Sequence, residues 1–562
     1  MRSSSRLHAA RRLAGAVLLT AIAAPLVLRA QSSRSVSQTG SSRVGIDVLH
    51  YEFRVDFPDR AFPDTVRFVA TTTALRSAAA RALSLDLVAD MRVDSTLVNG
   101  VRADFTRPTD SVRVALPATN TTRDTIRVAV FYRGLPVDGL ITRRDSTNGW
   151  TAFGDNFPDR ARQWLATIDH PSDKALVDWI VRAPATHRVI ANGELIEESP
   201  DAGVNGVRMV RTHWRTARPI YTAVMVIGVA PFAVLELGAT ACGLSELPGC
   251  VRQSVWTTPA QRGVVPGNFA RAGDIVSLFS RLVGPYPYEK LAHVSSSTRY
   301  GGMENAAAIF YAAQLFRPGS PNEGLIAHET AHQWFGDAVT TREWPHVWLS
   351  EGFATYFAAL WTEHAHGDSA FRADMATMRA QVLKAPITVE KAVIDEGLDD
   401  LRRVLNSNVY QKAGFVLHML RREIGDSSFY RGIRRYYATY RHGNALTDDL
   451  QREFERTSGR NLQWFFDQWM RRPGVAELQT SWTWNARTRQ LQVTIEQGAR
   501  VPPYRLSLAV DVTNANGATR RHRITVPASS TSTVTVPGAR SAAPTRVLFD
   551  ADVSLLGTIV SR

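Results

Sequence analysis

The stretch LIAHETAHQWFG, residues 325–336, decides how the rest of the chain is read. His328 and His332 are four positions apart, so on a helix both imidazoles leave the same face about one turn apart. Two imidazoles so placed can bind one divalent metal, and Glu329 beside the first of them reaches toward the open coordination position, where it can take a proton from water. With 14 histidines in 562 residues, a His-Glu-x-x-His string arises by accident in roughly 2% of such chains, so the pair alone leaves room for two surface histidines beside a solvated acid. A catalytic zinc needs a third protein ligand, and Glu351 stands nineteen residues after His332 in WLSEGFATYFAALW. The reading predicts that Gly336 ends the first helix and that Ser350 N-caps a second, with Glu351 on its first turn facing back to the imidazoles.

Outward from this centre the pattern changes twice. Residues 47–240 are mostly short alternating runs such as YEFRVDF (51–57), SVRVALP (111–117) and TIRVAVFY (125–132), followed by the more continuously apolar YTAVMVIGVAPFAVL (221–235). Period two with Val, Ile, Thr and aromatics predicts strands, and their number predicts a large β domain. Helical segments are expected over 269–283, 322–336, 349–365, 369–383, 410–424, 427–440 and 447–470. Alternation returns from Pro473 to Arg562 in LQTSWTW, QLQVTIE and YRLSLAVDV, about ninety residues with the rhythm of a small β-sandwich. The fold expected is multidomain α+β: an N-terminal β domain (47–240), a mainly α metal domain (241–472) and a C-terminal β-sandwich (473–562).

The first thirty residues hold five arginines and no acid, then an apolar run LAGAVLLTAIAAPLVL (13–28) and a small residue, Ala30, before Gln31. That order predicts a secretory signal cleaved near Ala30 and an exported, periplasmic or extracellular protein; an uncleaved anchor is the competing reading, but about sixteen apolar residues with Pro25 are marginal for a span. No other segment is long and apolar enough to cross a bilayer, so no stable span is expected once the signal is gone. Residues 31–46, Ser-rich at the start, read as a flexible leader. Loss of the signal lowers the net charge from +14 to +9. The remaining excess is scattered, with no run of five basic residues, which argues against a nucleic-acid partner. Cys242 and Cys250 are the two cysteines. In an oxidising compartment they could close a small loop, and a cysteine metal site is improbable with none left to complete it.

His-Glu-x-x-His, eighteen residues, then Glu resembles the gluzincin metallopeptidases, and the flanking HQWFGDAVT and WLSEGFATYFA resemble the M1 aminopeptidase family closely. Gly301-Gly302-Met303-Glu304-Asn305 is similar to that family's Gly-x-Met-Glu-Asn exopeptidase motif, and VYQKAGFVLHML (409–420) to its catalytic-tyrosine segment. RARQWLATIDHPSDKA (160–175) resembles a stretch of its N-terminal β domain, so the likeness spans nearly the whole mature chain. The resemblance implies a thermolysin-like catalytic domain and a zinc aminopeptidase acting on peptides with a free N-terminus. His328, His332 and Glu351 would hold one Zn²⁺, Glu329 would be the general base and Tyr410 would stabilise the oxyanion. Glu304 would pair with the substrate's α-ammonium. Gly301, Gly302 and Met303 would offer backbone to a substrate lying along them, and Asn305 would orient Glu304.

Two departures from the family pattern stand out. Where many members carry a second acid or amide for the amine, this chain reads FGDNFPDRAR (153–162), which puts Asp155 or Asn156 near that place and Phe157 where an acid often stands. The large helical C-terminal domain of many relatives is absent from the pattern, so a more open site is expected, with no cation assigned to the substrate carboxylate. Three other functions are weighed against the aminopeptidase. They are a leukotriene-hydrolase-like epoxide hydrolase, a metalloendopeptidase of the same fold, and a non-catalytic binding member.

Overall fold

A computed structural model describes residues 45–58, 65–121, 123–145, 149–242, 249–319, 323–537 and 543–562. The expected signal and its cleavage point, and nearly all of the leader, lie outside them; the leader's last residue, Ile46, begins a strand, Ile46–Asp56.

That strand shows why the N-terminal third folds as β. Its side chains alternate between buried and exposed, with Ile46, Val48, Tyr51, Phe53 and Val55 on the inner face, the period-two pattern of a half-buried strand. It pairs antiparallel with Val66–Arg76 and parallel with Lys174–Pro184 in the middle of a nine-stranded sheet. Sheets of three and four strands complete this region. Tyr51, Phe53, Tyr132, Trp164 and Trp179 fill its core, and Trp164 stacks on Trp179 with centroids 5.7 Å apart.

The metal region is built on a five-stranded sheet. Its strands are β1 (Ala233–Thr240), β2 (Val251–Thr257), β3 (Lys290–Ser296), β4 (Gly302–Met303) and β5 (Ala308–Ala312), in the order β1-β2-β3-β5-β4. The strand β1, which alternation alone assigns to the N-terminal β domain, therefore pairs into the next sheet. Cys242 and Cys250 are joined as a disulfide just beyond it, with Cα atoms 5.6 Å apart. The short β4 lies at the sheet's edge, paired on one side with β5.

Three helices follow that matter for the site: α1 (Glu323–His332), α2 (Trp348–Lys384) and α3 (Ala413–Ile424). α2 is broken at Gly367, which matches the two segments expected over 349–365 and 369–383. The single helix expected over 447–470 is two, Thr447–Ser458 and Gln463–Trp469, because the chain turns through the left-handed region at Gly459. The last ninety residues form a four-stranded and a three-stranded sheet. Among the described residues no helix is long and apolar enough to cross a membrane.

Candidate metal centre

α1 and α2 are locked together by aromatic packing. Phe335, just past α1, stacks on Phe353 of α2 at 4.3 Å between centroids and lies 5.0 Å from Phe357. That contact turns the first turn of α2 toward the imidazoles. His328 Nε2 and His332 Nε2 are 3.1 Å apart, and each lies 3.4 Å from Oε2 of Glu351.

These distances fit a zinc ion. Four ligands at about 2.0–2.1 Å in a tetrahedron are separated by about 3.3 Å along each edge, close to the three spacings found. The Oε2 of Glu351 is buried and has no hydrogen-bond donor among the described residues. On His332, Nδ1 faces the Phe335 carbonyl at 3.1 Å and the Ser350 hydroxyl at 2.9 Å. Nδ1 therefore carries the ring proton and leaves the Nε2 lone pair for a metal. Three lone-pair atoms thus converge at one point, an arrangement that a cation makes favourable.

Two expectations about the helix ends are corrected here. α1 stops at His332, four residues before Gly336, and α2 starts at Trp348, so Ser350 is not its N-cap. The Ser350 hydroxyl fixes His332 instead. Gly336 makes that approach possible: its φ is +118°, and a Cβ there would stand 2.3 Å from the Ser350 oxygen.

Glu329 is buried, and its carboxyl is held well above the usual range by burial and by the nearby Glu304 and Glu351 charges, with His332 opposing. For Glu351, burial pushes upward but the His332 charge and both imidazole contacts prevail and bring it down to about 2. Gly302 of β4 backs directly onto Glu329; a Cβ at this glycine would lie 2.3 Å from Oε1 and 2.4 Å from Cδ. Its bareness makes room for the Glu329 carboxyl. Gly301 faces open space, with Leu325 Cδ2 at 3.9 Å as the nearest atom to a Cβ built there. Met303 is buried against the sheet.

Glu304 is 5% exposed, and burial raises its carboxyl, with His332 pulling the other way. The carbonyl of the same residue accepts a 2.8 Å bond from Nε2 of Gln333, which also donates to Asp337 Oδ2 at 2.9 Å. The Oε1 of Gln333 accepts from the Ala307 amide at 2.8 Å. This one amide clamps the loop after β4 to the end of α1, and Asn192 of the N-terminal region holds the same loop by donating to the Ala306 carbonyl. Gln333 is not singled out by motif spacing and Ser350 only as a helix cap, although both sit inside the quoted flanks of the metal ligands.

Asn305 is fully buried, and neither its Oδ1 nor its Nδ2 has a hydrogen-bond partner among the described residues; no bond to Glu304 orients that acid. Asp155 is also fully buried, but Arg160 donates to its Oδ1 at 2.6 Å and the Arg299 guanidinium lies 3.3 Å from Oδ2. Asn156 is engaged with the Thr222 and Met225 carbonyls and with Trp164 Nε1, which makes it a strut of the β domain. Phe157 packs edge-on against Tyr300 and Trp344.

Tyr410 stands on a π-helical turn, Asn408–Lys412, directly before α3, a local geometry frequent at functional sites. Its ring is parallel to that of His328 at 6.0 Å. Burial and then the charges of Glu351, Glu304 and Glu329 raise the phenol well above its ordinary value, so it keeps its proton and remains a donor. A cleft of about 200 Å³, lined by Trp344, Val347, Ile387, Val393, Val404 and Val409, lies beside this turn.

Residues 274–469 match the peptidase family M1 domain. The chain is 26% identical over 458 residues to aminopeptidase N of Streptomyces lividans, covering 76% of this chain and 51% of that protein. It is 25% identical over 338 residues to probable aminopeptidase 2 of Sulfurisphaera tokodaii, covering 56% and 40%. The chain spans about half or less of the length of these curated relatives. Among solved structures, an M1 zinc metallopeptidase from Deinococcus radiodurans superposes with a TM-score of 0.64 at 26% identity, covering 76% of this chain and 93% of that one. A mutant of that enzyme bound to a Tyr-Ser-Ala substrate matches at TM-score 0.64 and 25% identity, covering 76% and 94%.

Proposed function

We propose that the chain, whose residues 274–469 match the peptidase family M1 domain, is a zinc aminopeptidase of that family and removes N-terminal residues from peptides. His328, His332 and Glu351 would hold the zinc. When bound, it would polarise the scissile carbonyl and acidify a water molecule. Glu329 accepts the proton of the attacking water and returns it to the leaving amine, a task suited to a carboxylate whose affinity for protons is raised by its surroundings. The Tyr410 phenol donates to the carbonyl oxygen as negative charge develops on it. Gly301–Met303, on an unpaired sheet edge, offers backbone groups to a substrate extended along it.

The observation that carries the exopeptidase reading is Glu304, a carboxylate 5% exposed beside the metal ligands. A free α-ammonium neutralises it, and an internal peptide bond brings no such cation. Asp155, tied to two arginines, is read as a structural acid and not as a second amine ligand. The tripeptide bound by the Deinococcus enzyme supports short peptides as substrates. The two C-terminal sheets read as a small sandwich, and the basic, apolar N-terminus together with the disulfide supports export.

The test is hydrolysis of aminoacyl-p-nitroanilides and their N-acetylated counterparts by the purified chain, with and without a chelator. Chelator-sensitive release from the free amines alone is expected, and Glu304→Ala should abolish most of that preference. Equal cleavage of acetylated substrates would refute the exopeptidase reading and favour an endopeptidase.

A further inference from the structure

The π-helical turn that carries Tyr410 is held from three sides, and one of the three is the C-terminal β module. Asn408, at the start of the turn, donates to the carbonyls of Ile387, Lys391 and Ala392 and accepts from the Thr388 hydroxyl. Just past its end, Ala413 packs on Gly352 of α2 so closely that a Cβ at Gly352 would stand 2.6 Å from that of Ala413. The third hold is Lys412, two residues from Tyr410 and fully buried, whose Nζ donates to the Gly474 carbonyl at 3.0 Å.

Gly474 stands where the chain enters the C-terminal module, whose first strand is Ala476–Asn485. The glycine's amide donates to the Thr388 carbonyl at 2.7 Å, so its two flanking peptide groups tie together both supports of the tyrosine turn. Its φ is +94°, and a Cβ there would meet Val501 Cγ1 at 2.7 Å, so the position is set by the module as well as by the helices. Arg472 lies over the Tyr504 ring at 4.0 Å, and Tyr504 stacks on Trp469 at 4.7 Å, which fixes the junction on both sides. Burial, with Arg472 nearby, brings the Lys412 ammonium down to about 7; charged or neutral, the amine keeps a hydrogen to donate. A buried lysine whose single side-chain hydrogen bond among the described residues reaches across to another module is costly to the fold, and its place on the tyrosine turn gives that cost a use.

We propose that Lys412 is a positioning residue for Tyr410, and that through its bond to Gly474 the C-terminal β module helps set the distance of the phenol from the reacting carbonyl. The proposal rests on the role given to Tyr410 above. The experiment is a double-mutant cycle on the full chain with Lys412→Met, Tyr410→Phe and both together, reading kcat, KM, zinc content and melting temperature on a free aminoacyl-p-nitroanilide. Lys412→Met should lower kcat about ten- to a hundredfold, as expected for a catalytic group displaced by up to 1 Å. KM and zinc content should change little, because the phenol acts in the transition state. In the Tyr410→Phe background the same substitution should cost nothing further, since residues that act through one another are not additive. Lys412→Arg, which keeps a donor, should restore part of kcat.

An unchanged kcat in folded Lys412→Met, or an equal loss in both backgrounds, would overturn the proposal while leaving the role of Tyr410 intact. Full activity in Tyr410→Phe, or no activity in the wild type, would remove the parent reading and this one with it. If Lys412→Met does not fold, Lys412→Gln, neutral and too short to reach Gly474, takes its place in the cycle: a kcat loss confined to the Tyr410 background supports the proposal, and an unchanged kcat or an equal loss in both backgrounds overturns it.

Discussion

Gly301 and Gly302 are adjacent and chemically identical, yet alanine should act on them in opposite ways. At Gly302 a Cβ would lie 2.3 Å from Oε1, 2.4 Å from Cδ and 2.6 Å from Cγ of Glu329. Non-bonded heavy atoms settle near about 3.5 Å, so relief needs a displacement of about 1 Å. All three atoms belong to one side chain and none to the backbone, so the fold yields by moving Glu329, with an overpacking cost of about 1–3 kcal/mol. The carboxylate proposed as the base then sits about 1 Å from its working position, which is expected to lower kcat about a hundredfold, close to 3 kcal/mol of barrier. At Gly301 the nearest atom to a new Cβ is Leu325 Cδ2, at 3.9 Å. The protein does not resist alanine there, and any effect must come from the substrate and appear in KM. The assay is kcat and KM on a free aminoacyl-p-nitroanilide, with zinc content and melting temperature measured alongside. Full kcat in Gly302→Ala, or equal kcat losses for the two variants, would refute the argument.

Removing the metal with a chelator should lower the melting temperature and added zinc should restore it, because a ligand held only by the folded state stabilises it by about 2.7 kcal/mol at a hundred times its Kd; calorimetry of the two forms decides this. Gln333→Leu strands the Ala307 amide, the Glu304 carbonyl and Asp337 Oδ2, at about 1–3 kcal/mol for each buried group left unpaired; urea unfolding should show a loss of at least about 3 kcal/mol. Burial takes Lys290 from 10.5 to about 7, so between those values the unfolded chain binds more protons than the folded one and stability contributed by this group rises with pH. The melting temperature should therefore climb from pH 7 toward 10 more steeply in the wild type than in Lys290→Met.

Much of the molecule was legible because its signals are local. Alternation in YEFRVDF marks a strand whose inner face is Tyr51, Phe53 and Val55, and four-residue spacing puts His328 and His332 on one face of α1. The misreadings share a cause: a residue with two good local options was taken by a distant partner. Ser350 is a good N-cap by type, but Phe335 stacked on Phe353 brings His332 within reach of its hydroxyl, and that bond wins. β1 alternates like the strands before it, and only its pairing with β2 assigns it to the metal region's sheet. Gln333 and Lys412 work through carbonyls 29 and 62 positions away, a separation that no spacing rule reports. The break at Gly459 was local and readable, since a glycine late in a helical pattern is a common C-terminal signal.

The charges around the metal site argue for the substrate class from a second direction. Glu304, Glu329 and Glu351 are each buried, and each of the first two is raised by burial and then by its acidic neighbours. Two further buried acids have cations of their own: Asp155 pairs with Arg160 and Arg299, and Asp337 has Lys174 close enough to oppose its upward shift, Lys174 Nζ also donating to the Asp337 carbonyl and the Thr340 hydroxyl. Ionised together, the remaining three carboxylates would carry three negative charges in a place where unpaired charge is costly, which is why Glu304 and Glu329 hold protons more tightly than usual. A divalent zinc offsets two of them. The third is offset by one more cation at Glu304, which a peptide with a free α-ammonium brings and an acetylated or internal peptide does not. On this balance, the proposed discrimination against a blocked N-terminus would arise because a neutral group would leave Glu304 either buried and charged or protonated. Glu304→Gln should then bind acetylated substrates more nearly as well as free ones, chiefly by losing affinity for the amine; a variant that keeps the full preference for free amines would show that the third charge is balanced elsewhere.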